Sequence, residues 1–151
     1  MRSALAVIAA ALLVIAGCGG DDGGGGGEGS APSDERTAVV DATRAYQDAF
    51  LDEDADAVCD HLSGRGKREL VVTAAALGGP VSCPDSAKRV FDLAGEDDRQ
   101  RIERSREQLK PGDVRLRGQQ ATVTLPASGR KLGLRKAGEK WLISVPGLRR
   151  P

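Results

Sequence analysis

A tract of glycine and acid divides this chain. Eight of the eleven residues from Gly19 to Gly29 are glycine. The seventeen residues from Gly19 to Glu35 hold five acids (Asp21, Asp22, Glu28, Asp34 and Glu35) and no large apolar side chain. Such a stretch cannot bury enough surface to offset its ordering entropy. A phosphate-cradling loop would need a strand before it and a helix carrying Lys-Ser/Thr after it, and neither flanks the tract. It is expected to be a disordered tether, with a typical reach of roughly 23 Å for a flexible chain of this length. Folding is then confined to residues 36–151, enough for one domain.

The segment before the tether is an address. Arg2 gives a short positive start, and Ala4 to Ile15 is an unbroken run of twelve Ala, Leu, Val and Ile residues. As a helix that run spans roughly 18 Å, short of the ~30 Å hydrocarbon core of a bilayer. A secretory signal fits better than a membrane span. The run closes on Ile15-Ala16-Gly17-Cys18, which resembles the lipobox of bacterial lipoproteins. That resemblance implies a signal peptide over 1–17, cleaved before Cys18, with the Cys18 thiol lipidated and the new terminus acylated by palmitate-like chains. Residues 18–35 are then the lipidated cysteine and its linker. The expected location is the extracytoplasmic face of the cell membrane, held by lipid.

Beyond the tether the hydrophobic period is first helical. Val39, Thr43, Tyr46 and Phe50 form one stripe over 37–51, which Asp34 or Thr37 could cap. After the acidic break at Asp52-Glu53-Asp54, a second helix carries Ala55, Val58, Cys59 and Leu62 on one face. Gly64 and Gly66 are expected to interrupt it. A helix resuming over 67–77 would turn Leu70, Val71, Ala74 and Leu77 inward, and Gly78-Gly79-Pro80 would stop it. Helix over 85–109, broken near Gly95, turns Ile102, Ser105 and Leu109 inward. From Pro111 the period becomes two. Val114/Leu116, Ala121/Val123/Leu125, Leu132/Leu134 and Trp141/Ile143/Val145 alternate with polar residues, separated by glycine-containing turns. Helices followed by a four-stranded antiparallel meander predict an α+β domain.

With Cys18 assigned to lipid, Cys59 and Cys83 remain as a pair in an exported domain, and a disulfide is expected. A metal site is the rival, but only His61, the single histidine, lies nearby and no C-x-x-C spacing exists. Neither a metal nor a cofactor is expected. Aromatics amount to 3%, too few for a nucleic-acid stacking platform, so no nucleic-acid partner is expected.

The stretch Ala45-Tyr46-Gln47-Asp48-Ala49-Phe50-Leu51-Asp52-Glu53-Asp54-Ala55-Asp56-Ala57-Val58 resembles the helical aromatic stripe, "GDADA" break and second helix of the NTF2-like (SnoaL/ketosteroid-isomerase-like) superfamily. Glu53 stands where glycine is usual there. Gly138-Glu139-Lys140-Trp141-Leu142-Ile143 is similar to that family's late G-x-x-W-x-[IV] strand. The resemblance covers 37–146. It implies a cone of helices on a curved sheet around an apolar pocket, with Tyr46, Phe50 and Trp141 as lining. Isomerase members use a helical Tyr as an oxyanion donor, which falls on Tyr46, and a general-base acid after the second helix. Here that place reads Ser63-Gly64-Arg65-Gly66-Lys67-Arg68, with no carboxylate before Glu69. A phenol without a base is half a site. The expectation is a non-enzymatic domain that binds a small apolar ligand or a partner. The alternative is an isomerase- or cyclase-type enzyme using Tyr46 with Asp48 or Asp60.

Equal totals of 22 basic and 22 acidic residues conceal an asymmetry. Residues 36–100 carry 8 basic and 13 acidic residues, net −5, whereas residues 101–151 carry 13 and 4, net +9. Arg115, Arg117, Lys131, Arg135 and Lys136 are expected to share the outer face or rim of the sheet. There they would meet anionic lipid headgroups or an acidic envelope polymer.

Overall fold

A computed structural model describes residues 33–78 and 82–145. The lipobox residues Ile15, Ala16, Gly17 and Cys18, and nearly all of the tether, lie outside the described residues. The domain is α+β: five helices, α1 (Ser33–Leu51), α2 (Ala55–Asp60), α3 (Gly64–Ala76), α4 (Cys83–Leu93) and α5 (Glu96–Gln108), precede four strands. Strands β1 (Val114–Arg117), β2 (Gln120–Thr124), β3 (Lys131–Ala137) and β4 (Lys140–Val145) form an open antiparallel sheet in sequential order. Among the described residues no helix is long and apolar enough to cross a membrane.

The stripe Val39, Thr43, Tyr46 and Phe50 is buried on α1. Helix α1 begins earlier than its apolar period, because Asp34 and Glu35 in its first turn complement the positive end of the helix dipole. Ser33, Asp34 and Glu35 therefore belong to the helix and not to the tether. Thr37 does not cap it, and its hydroxyl instead donates to the Ser33 carbonyl at 3.0 Å. Asp54 caps α2 by accepting from the Ala57 N–H at 2.9 Å. Just before it Glu53 holds a left-handed φ of 57°, the conformation that favours glycine.

Gly64 and Gly66 do not interrupt a helix. They form the first turn of α3, with Ser63 as its cap. The reason is tertiary: a Cβ on Gly66 would lie 2.3 Å from the Ile143 carbonyl oxygen, so only glycine lets α3 settle against β4. The preceding connector pairs with that strand's free edge. Leu62 bridges Ile143 in parallel, the Ser63 N–H donates to the Ile143 carbonyl, and the Ile143 N–H donates to the His61 carbonyl, both at 2.9 Å. This covers an edge that would otherwise be open to pairing. Beside the seam, Cys59 and Cys83 form a disulfide with Cα atoms 6.1 Å apart, tying the end of α2 to the start of α4.

The inner face of the sheet carries Val114, Ala121, Val123, Leu132, Leu134, Trp141 and Ile143, all buried as their alternation requires. Two expectations of facing need revision, Leu77 inward and Lys136 outward. Leu77 is 52% exposed, because α3 ends at Ala76 and carries Leu77 past the core. Lys136 belongs to the inner side of β3, in step with Leu132 and Leu134. Its ammonium pairs with Glu35 at 2.6 Å and lies 5.8 Å from the centre of the Trp141 ring.

Candidate functional site

Helix α1 begins beside the C-terminal end of β3, where Glu35 pairs with Lys136. Where its last turns meet α3, α4 and α5, a cavity of about 330 Å³ remains. Phe50, Val90, Ile102 and Leu132 supply apolar wall, and Phe50 stacks edge-to-face on Phe91 with ring centres 5.1 Å apart. Leu77 and Leu93, both 52% exposed, stand at the mouth. Charge lines the cavity through Asp98, Arg101 and Arg130. Asp98 pairs with Arg101 at 3.6 Å on their own helix, and Arg130 is exposed.

Besides Tyr46, two buried polar side chains stand in the wall. Gln47 and Ser105 line the cavity and are only 3% and 2% exposed. Neither end of the Gln47 amide, nor the Ser105 hydroxyl, has a hydrogen-bond partner within the protein. Buried polar groups are almost always paired, so these three atoms call for partners from outside the protein, water or a ligand. Tyr46 is also in the wall. Burial pushes its phenol up from 10.0 to about 12, with the Arg130 guanidinium drawing it partly back, so at neutral pH the hydroxyl keeps its proton.

Of the residues expected at a pocket, the cavity brings Tyr46 and Phe50 together and leaves Trp141 out. Trp141 packs at the β3–β4 hairpin end, under Lys136, whereas the cavity opens beside the β2–β3 turn at Leu125, Ser128 and Arg130. Asp48 and Asp60 are not in the cavity wall. Asp48 forms an ion pair with Arg106, and Asp60 is exposed at the end of α2. The acid that does line the cavity is Asp98, which sequence reasoning passed over. It also missed Arg44, whose guanidinium donates to the Leu109 carbonyl at 2.7 Å and the Arg106 carbonyl at 3.3 Å, fixing the end of α5 against α1.

On the other side of the sheet, Arg115, Arg117, Lys131 and Arg135 are exposed, and Arg117, Gln120 and Arg135 lie in one cross-strand row. Lys140 joins them, and no strand contains an acid. Among the described residues, no three His, Cys, Asp or Glu side chains gather into a metal-binding group. Compared with known protein families, curated proteins and solved structures, the chain matches none.

Proposed function

We propose that this protein is a membrane-anchored extracytoplasmic lipoprotein whose domain binds a small, largely apolar molecule without transforming it. The observation that carries the binding role is the cavity of about 330 Å³ lined by the orphan amide of Gln47 and hydroxyl of Ser105. Its size is at the lower end of the range for small-molecule sites. Helices that precede an antiparallel meander, with the cavity between them, support an NTF2-like arrangement. The anchor is supported by the apolar run and Ile15-Ala16-Gly17-Cys18. Several acyl chains at ~0.8 kcal/mol per buried CH₂ would hold such a protein stably.

The isomerase- or cyclase-type alternative, built on Tyr46 with Asp48 or Asp60, finds neither acid in the cavity wall and would need Asp98 instead. It is disfavoured because Asp98 is partly exposed and engaged by Arg101 instead of standing ready as a base. Native mass spectrometry of the intact chain in native-membrane discs tests the reading. A small organic molecule should leave with the folded protein, and its mass should stay constant on incubation. A folded chain that never carries one contradicts the binding role, and a changing mass favours the enzyme. Alkynyl-palmitate labelling should be lost in Cys18→Ser.

The same reading sets the outer face of the sheet against anionic headgroups. Helix α1 begins at Ser33, and its Glu35 pairs with Lys136 on the inner side of β3, which leaves the outer face free to meet headgroups. Neutralising Arg115, Arg117, Lys131 and Arg135 together should reduce residence on anionic but not zwitterionic vesicles. Equal residence on both vesicle types would favour an acidic envelope polymer as the partner.

A further inference from the structure

We infer that the cavity selects a neutral amphiphile by its polar end. It takes in a group that both donates and accepts hydrogen bonds, a primary amide or an alcohol, and leaves the apolar end toward Leu77 and Leu93. This inference rests on the small-ligand reading above and specifies its chemistry.

The orphan atoms set the polar end. Gln47 presents a donor group, Nε2 with its two N–H, and an acceptor, Oε1, and Ser105 Oγ can act as either. A bound primary amide satisfies both ends of Gln47, its N–H donating to Oε1 and its carbonyl accepting from Nε2. A hydroxyl can do the same with Gln47 and Ser105. An ionised carboxylate or a ketone only accepts, and leaves Oε1 buried without a partner. The carboxylate would also lose its hydration beside an uncharged amide. The cations of the cavity offset that loss only in part, because solvent screens both. Arg101 is turned to Asp98 at 3.6 Å and to the Asp97 carbonyl at 3.1 Å, and Arg130 is exposed.

The leucines set the orientation. Phe50, Ile102 and Leu132 line the passage, and half-exposed Leu77 and Leu93 stand at its opening. A molecule that entered apolar end first would set its hydrocarbon on Gln47 and Ser105 and its polar group between two leucines. The reverse orientation matches both ends. Water in the cavity would also pair with the orphan atoms, but it would confer no preference among ligands that displace it.

The test uses the full chain in native-membrane discs, with protein-free discs as the blank. Saturation-transfer NMR titrations compare hexanamide, hexanol, hexanoate and butyl methyl ketone. Hexanamide and hexanol should bind at least about tenfold more tightly than hexanoate and the ketone, the scale set by leaving a buried polar group unpaired. Gln47→Leu should abolish hexanamide's advantage over the ketone. Ser105→Ala, the gentler variant, should weaken hexanol by about fivefold. Thermal unfolding shows which variants are folded, and Ser105→Ala decides alone if Gln47→Leu is not. Equal binding of amide and ketone, tighter binding of hexanoate, or preferences unchanged in the folded variants would overturn the inference and leave the binding role intact. Failure of every probe, with no ligand retained in the mass spectrum, would overturn both.

Discussion

The seam along β4 and the cavity beneath α4 and α5 solve opposite problems with similar residues. At the seam the Ile143 carbonyl and N–H are paired to the α2–α3 connector, Gly66 gives up its side chain to bring α3 close, and a disulfide lies alongside. At the cavity an amide and a hydroxyl are buried without partners, and two leucines remain half in water. A domain poor in aromatics has limited core to spend on such defects. Close packing and pairing at one side offset, within one small domain, a cavity at the other whose polar wall lacks partners within the protein.

Mutations at the seam should therefore be severe. Gly66→Ala is expected to have the largest effect, a loss of about 4 kcal/mol, since its Cβ would meet backbone at 2.3 Å and the Leu62 side chain at 3.2 Å. Chemical denaturation would measure it, and a loss below about 1 kcal/mol would show that the seam is not the close-packed side. Next comes the paired Cys59→Ser/Cys83→Ser replacement. It releases a cross-link between residues 24 apart, worth about 3 kcal/mol in the chain-entropy model. The same denaturation midpoint should fall under reducing conditions in the natural chain and stay fixed in the double variant.

Much of the seam's material was legible and its logic was not. Period-two alternation located all four strands, and cysteine arithmetic paired Cys59 with Cys83. Gly66 was misread because a glycine's local signal is conformational freedom, whereas here its role is tertiary contact with a strand some 77 residues on. Lys136 was grouped with Arg135 although neighbours on a strand point to opposite faces. The cavity had one legible trace. Gln47 sits four residues after Thr43 and three before Phe50, an amide on the buried stripe of α1. Nothing local marked Asp98 or Arg44, whose roles come from where α5 docks.

At the cavity the sign should reverse. Gln47→Leu replaces an unpaired buried amide with hydrocarbon of similar size, and without ligand it should stabilise the fold by about 1 kcal/mol. A rise in the denaturation midpoint, set beside lost amide binding, would show the defect to be functional. A fall of the same size would mean that the amide supports the fold and that the contrast with the seam is weaker than drawn.

The smallest effect at neutral pH belongs to Tyr46→Phe, and it emerges only in alkali. The folded phenol titrates near 12, raised by burial, against 10.0 when exposed. Between those values the unfolded chain releases a proton that the folded chain keeps, so stability present below pH 10 drains away as pH climbs toward 12. Natural protein should lose stability over that window and Tyr46→Phe should lose less, read from denaturation midpoints at successive pH values. The ligand adds a finer discrimination. An occupant that seals the cavity keeps Tyr46 dry and preserves or steepens the alkaline slope, whereas a cavity open to water relaxes it. Parallel slopes in the natural chain and Tyr46→Phe would place the phenol in contact with solvent, and the cavity would then be no drier than the surface around it.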